Sequence, residues 1–178
     1  NEPPVISITV PQNNSFQNAA PLTVSGTVTD KSAISYVKVN GIEATVDGQH
    51  FTAALTLSEG TNSITIESED QYKNKGSVSL TVTLDSVVPT VTISSPAPRA
   101  SFSTPDATIT GVVTDSSTFT LSINGQEVSS SHFNGSQFTY PVSLTEGENN
   151  VEFLAVDAAN NRWETTLTLL MDSIPPQI

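Results

Sequence analysis

The 178-residue chain sets 18 Asp+Glu against 6 Lys+Arg, for a formal net charge of -12, and contains no cysteine. Six scattered cations cannot neutralise a phosphate backbone, which takes clustered Lys and Arg, so nucleic acid is excluded as a partner. Without thiols there is no disulfide, cysteine nucleophile or zinc–cysteine site, and no apolar run approaches the roughly 18 residues of a membrane span, so no direct membrane insertion is expected.

In chain order, Asn1-Glu2-Pro3-Pro4 reads as the middle of a longer polypeptide, and Pro4-Val5-Ile6-Ser7-Ile8 opens the first strand. Alternating residues then place Leu22/Val24/Gly26/Val28 on one face, followed by Phe51/Ala53/Leu55/Leu57, Ile64/Ile66/Ser68 and Val78/Leu80/Val82/Leu84. The same period of two returns in Ile109/Gly111/Val113, Phe138/Tyr140/Val142/Leu144, Val151/Phe153/Ala155 and Leu167/Leu169/Met171. One apolar and one polar face per strand is the pattern of antiparallel sheets with a single buried side. Asn40-Gly41 and Asn124-Gly125 read as two-residue hairpin turns, because that pair accepts positive φ at both positions.

The chain is a tandem duplication. Pro4–Ile8 recurs as Pro89–Ile93 and Gly26–Asp30 as Gly111–Asp115, both at an offset of 85; Asn40-Gly41 recurs at 84 and Leu57–Gly60 at 87. The second copy therefore has a longer loop near Ser129–Gly135. Asp85-Ser86-Val87-Val88-Pro89 is echoed by Asp172-Ser173-Ile174-Pro175-Pro176, so the expected domains are 1–88, 89–175 and, at 176–178, the start of a third repeat. About seven short strands in some 85 residues predict an all-β chain of two tandem immunoglobulin-like β-sandwiches, end to end. The residue before a proline is held extended, so Val87-Val88-Pro89 predicts a stiff joint.

Several segments resemble the bacterial immunoglobulin-like (Big-type) repeats of large secreted and surface proteins. They are the Pro-rich starts (Pro3-Pro4, Val88-Pro89), the Gly-x-Val-x-Asp strand end, Val37-Lys38-Val39-Asn40-Gly41 and Ser58-Glu59-Gly60-Thr61-Asn62. Asp157-Ala158-Ala159-Asn160-Asn161 is similar to the family's Asp-x-x-Gly-Asn turn, without the Gly. The resemblance implies an extracellular or cell-surface location and a role as adhesin stalk, enzyme spacer or, occasionally, glycan binder.

Strand topology predicts that Asp85, Asp115 and Asp157, with Asn161 and Glu59, gather at the junction of the two repeats. Such an oxygen-only set suits calcium, which takes six to eight oxygen ligands. Asp30 and Asp70 with Glu2 repeat the pattern at the front, and Asp172 with Glu146 at the back. The other reading is that each Asp closes its own turn through local backbone hydrogen bonds. Calcium is thus the candidate cofactor.

No catalytic residue is assigned. His50 and His132 do not align between copies, and Ser131-His132 has no orienting acid or oxyanion site beside it. Phe16 and Phe102, at equivalent positions, read as plugs beneath a loop, leaving Tyr36, Tyr72, Phe133 and Trp163 as rings for a sugar or for packing on a neighbouring domain. The expected function is a non-catalytic spacer of a secreted or surface protein, presenting a terminal functional domain. The alternative is a carbohydrate- or other ligand-binding accessory module of a secreted polysaccharide-active enzyme. Expected partners are neighbouring repeats of the same chain and a surface glycan or protein ligand, and unpaired strand edges offer a route to self-association.

Overall fold

The computed structural model describes residues 2–174. The expected start of a third repeat at 176–178 lies outside the described residues. The chain divides into two compact units, Asn1–Ser86 and Val87–Ile178.

Repeat one consists of β1 (Val5–Val10), β2 (Ser15–Gln17), β3 (Leu22–Thr29), β4 (Ile34–Val39), β5 (Ile42–Glu43), β6 (Thr45–Asp47), β7 (His50–Leu55), β8 (Gly60–Asp70) and β9 (Lys75–Leu84). They form two sheets, ordered β1-β3-β7-β6 and β2-β9-β8-β4-β5. Between them lies a core of alternating residues in which Val24, Val37, Val39, Ile64, Ile66 and Val82 are fully enclosed and Phe51 is 1% exposed. The expected inward faces are those observed.

Nine strands form where seven were expected. The register of β1 on β3 slips between Ile8 and Val10, and the chain then crosses to the other sheet, where β2 pairs parallel with β9. A three-residue parallel strand carries no alternation long enough to read. Asn40 (φ 46) and Gly41 (φ 81) form the predicted hairpin turn between β4 and β5. The Asn40 side chain also accepts the Thr65 N–H at 2.8 Å, so the turn is fastened to β8.

Repeat two consists of β10 (Thr90–Ser95), β11 (Ser101–Phe102), β12 (Asp106–Thr114), β13 (Phe119–Ile123), β14 (Gln126–Glu127), a 3-10 turn at Ser130–His132, β15 (Phe133–Asn134), β16 (Gln137–Ser143), β17 (Gly147–Asp157) and β18 (Arg162–Met171). Its sheets, β10-β12-β16-β15 and β11-β18-β17-β13-β14, reproduce the first pair, including the parallel pairing of β11 with β18. Phe138, Ile109, Leu121, Ile123 and Leu169 are its innermost large side chains. The extra loop residues build the 3-10 turn and deliver the chain to β15.

The aromatic plugs differ between copies. Phe102 packs against the core of repeat two, whereas Phe16 is 41% exposed. Along β2 the half-buried positions are Ser15 and Gln17, so the alternation turns Phe16 outward.

Candidate functional site

In each repeat the strand that ends in Gly-x-Val-x-Asp delivers an aspartate into the next loop. Asp30 Oδ1 accepts the Ser32 N–H at 2.6 Å, and Asp115 Oδ1 accepts both the N–H and the hydroxyl of Ser117 at 2.8 Å. The turn after the longest strand is closed the same way. Asp70 Oδ1 accepts the Tyr72 and Asn74 N–H groups at 2.7 and 2.9 Å, and Oδ2 accepts Asn74 Nδ2 at 2.8 Å. Asp157 holds Asn161 by the N–H at 2.8 Å and by Nδ2 at 2.7 Å. A carboxylate here supplies acceptors for donors that the turn leaves without a ladder partner.

Among the residues expected to bind a metal, Asp115, Asp157 and Asn161 come together within repeat two, with carboxylate oxygens of the two aspartates within 4.8 Å of each other. Asp157 is 6% exposed. Within repeat one, Glu59 and Asp85 lie at the end of the sandwich beside the last strand. Glu59 bridges to Leu84 and accepts the Ser86 N–H and hydroxyl at 2.8 and 3.0 Å. Asp85 is 3% exposed, and its N–H donates to the Gln17 carbonyl at 2.9 Å. Glu146 and Ser173 repeat the clasp in the second copy.

Two residues important to these loops carried no chemical signal in the sequence reading. Asn62 accepts the Ser58 N–H at 3.0 Å and donates to the Ser58 and Gly60 carbonyls at 2.7 and 2.8 Å. Asn149 makes the matching bonds to Thr145 and Gly147. Their recurrence at an offset of 87 was the available clue.

Repeat one carries a charged network across one sheet. Glu69, 8% exposed at its side chain, meets Lys73 at 2.7 Å and Lys75 at 3.5 Å. The hydrogen bond from Lys73 holds the Glu69 carboxyl below the ordinary glutamate value, although burial pushes the other way. Glu69 raises Lys73 in turn, and Lys75 is raised first by Tyr36. Lys38 sits 4.7 Å over the Tyr36 ring.

Of the remaining residues, His50 is exposed at the start of β7, and His132 Nδ1 lies 3.0 Å from the Ser129 hydroxyl, not paired to Ser131. Trp163 and Phe133 are half-buried against the core of their own repeat, so packing on a neighbouring domain is not needed to account for them. Tyr72 is 66% exposed. No helix among the described residues is long and apolar enough to cross a membrane.

Comparison with known proteins matches this organisation. The family described as glucodextranase, domain B matches twice, over residues 4–86 and 89–173. No curated protein matches the chain. Among solved structures, the Clostridium thermocellum CbhA fibronectin(III)-like modules are similar at 18% identity and a TM-score of 0.57, covering 94% of each chain. The I-band fragment I67–I69 of titin is similar at 13% identity and a TM-score of 0.56, covering 96% of this chain and 66% of that one. At such identities the similarity speaks for the fold alone. Matched over nearly its whole length, the chain belongs to the glucodextranase domain B family and is built as two immunoglobulin-like sandwiches.

Proposed function

We propose that the chain is a non-catalytic structural segment of a secreted or cell-surface protein, spacing a functional domain from what anchors it. The observation that carries this reading is the use made of the polar loop residues. Asp30 and Asp115, Asp70 and Asp157, Asn62 and Asn149, and Glu59 and Glu146 all close loops of their own repeat, at matching positions in both copies. Side chains engaged in this way stiffen a module. Force spectroscopy on the chain held at its two ends tests it: two separate unfolding events are expected, one per repeat, and extension without resistance would refute a load-bearing spacer.

A second reading is favoured by the family itself, whose description comes from a glucodextranase. Under it the chain is an accessory glycan-binding module beside a polysaccharide-active enzyme, of bacterial surface type, as the Big-type resemblance implies. Calcium binding by Asp85, Asp115, Asp157, Asn161 and Glu59 also stands as a proposal. The pairing of Asp115 with Asp157 inside repeat two supports it, because two neighbouring carboxylates begin the oxygen-rich shell that calcium requires.

A further inference from the structure

We propose that repeat two carries a groove for a neutral oligosaccharide across the outer face of β12, β16 and β15. The groove is open to solvent and measures about 530 Å³, within the roughly 300–1,000 Å³ of small-ligand sites. Thr108 and Pro141 face each other across β12 and β16, Thr139 and Gln137 continue along β16, Asn134 lies opposite Gln137 on β15, and His132 closes one side.

Its chemistry differs from that of three other grooves, each of which has at least one acid in its lining. In a chain of net charge -12, no Asp, Glu, Lys or Arg is among its lining residues. An acidic repeat without a local cation repels a polyanion, and a groove without a carboxylate offers a cationic ligand nothing. What remains is two amides, the hydroxyls of Thr108, Thr139 and Ser131, an imidazole, and the apolar Phe133 and Pro141. Among the described residues, the side chains of Thr108, Asn134, Gln137 and Thr139 form no hydrogen bond within the chain, unlike the loop aspartates and asparagines. Amides and hydroxyls that both donate and accept suit a ligand made of hydroxyl groups.

The groove draws on the loop insertion of repeat two, which supplies Ser131, His132, Phe133 and Asn134 to its lining. Ser129 holds His132 through Nδ1 at 3.0 Å, and the imidazole lies 5.2 Å from the Tyr140 ring, so the ring that borders the groove is fixed from two sides. Gly135 (φ 62) turns the chain between Asn134 and Gln137. At the matching turn of repeat one, Gly48 (φ 60) separates Asp47 from His50, which places a charge where repeat two has an amide.

This proposal names a site for the glycan-binding reading above and is independent of the spacer reading. The test is affinity electrophoresis of the two-repeat chain in gels containing dextran, mixed-linkage β-glucan or galactomannan, with polygalacturonate as the anionic control. The wild type is expected to be retarded in at least one neutral gel and not by polygalacturonate. Asn134→Ala with Gln137→Ala should weaken binding about tenfold, as removal of two hydrogen bonds implies. Thr139→Arg, an exposed position that can take a long side chain, should block it while leaving the melting temperature unchanged. No retardation in any of the gels, polygalacturonate included, would overturn both the groove and the glycan reading. Retardation kept in both variants, or seen only with polygalacturonate, would overturn the groove alone and send the search to another surface.

Discussion

Glu59 and Ser86 are joined twice, the backbone N–H to Oε1 at 2.8 Å and the hydroxyl to Oε2 at 3.0 Å. A carboxylate offers two acceptors to the two donors of a single serine, and Glu146 does the same for Ser173, whose hydroxyl lies at 2.8 Å. Because both pairs are exposed, Glu146→Ala should cost about 1 kcal/mol and not the larger figure of a buried charged hydrogen bond. The single tryptophan, Trp163, sits in repeat two, so its fluorescence during urea unfolding reports that repeat. An unmoved midpoint would show that the clasp holds nothing.

Asn149 makes a larger contribution per residue. Its side chain bonds the Thr145 N–H at 2.8 Å and the Thr145 and Gly147 carbonyls at 2.7 and 3.1 Å. Asn149→Ala leaves all three backbone groups to water and is expected to destabilise repeat two by about 1–2 kcal/mol. Asn149→Asp keeps the acceptor but loses the donor, so its midpoint should fall between those of wild type and alanine.

Gly111 is fixed by sterics, not by turn geometry. A methyl group there would lie 2.5 Å from Phe138 Cε1 and 2.5 Å from the Thr92 carbonyl oxygen. Neither a buried ring nor a paired strand can retreat, so Gly111→Ala should cost about 1–3 kcal/mol by overpacking. Phe138→Ala, which opens a cavity, should cost about 3–5 kcal/mol. Combining the two should give less than the sum, because truncating the ring removes one of the clashes.

Glu69 predicts a pH dependence. Its carboxyl is lowered mainly by the Lys73 hydrogen bond, so its contribution is present above the unfolded glutamate value of about 4.3 and is lost as pH falls through the lowered value. The difference in denaturation midpoint between wild type and Glu69→Gln should be largest near neutral pH and close at strongly acidic pH. Lys73 acts in the opposite sense. Its raised value keeps stability that is lost as pH climbs beyond about 10.4.

For the proposed calcium site, millimolar calcium should raise the melting temperature of chelator-treated protein, since a ligand that binds the folded form stabilises it by mass action. Asp115→Asn should remove most of that rise. Equal melts with calcium and with chelator would leave the aspartates as turn closers only.

Much of the sandwich was legible because the core residues alternate over five or more positions, as Val78, Leu80, Val82 and Leu84 do on β9. The hairpin at Asn40-Gly41 was legible because two consecutive positive φ values demand such a pair. The parallel strands β2 and β11 were not, since two or three residues carry no period and their pairing depends on a distant partner. The clasps were half legible. Glu59 and Asp157 were visible as recurring acids, but sequence could not distinguish a carboxylate awaiting an ion from one already facing a serine or asparagine. That choice is made by backbone donors, which every residue but proline carries alike.

The parallel pairing of β2 with β9 determines how a single repeat answers tension. Because the first crossing strand and the last strand run the same way, pulling the chain ends apart drags them past each other along their common axis. Ser15, Phe16 and Gln17 face Val82, Thr83 and Leu84, and their hydrogen bonds are then loaded together in shear. An antiparallel pair opened at its hairpin would unzip one bond at a time. The patch is short, and tension from the N-terminal side reaches it through β1, whose pairing with β3 lies ahead of it in the load path.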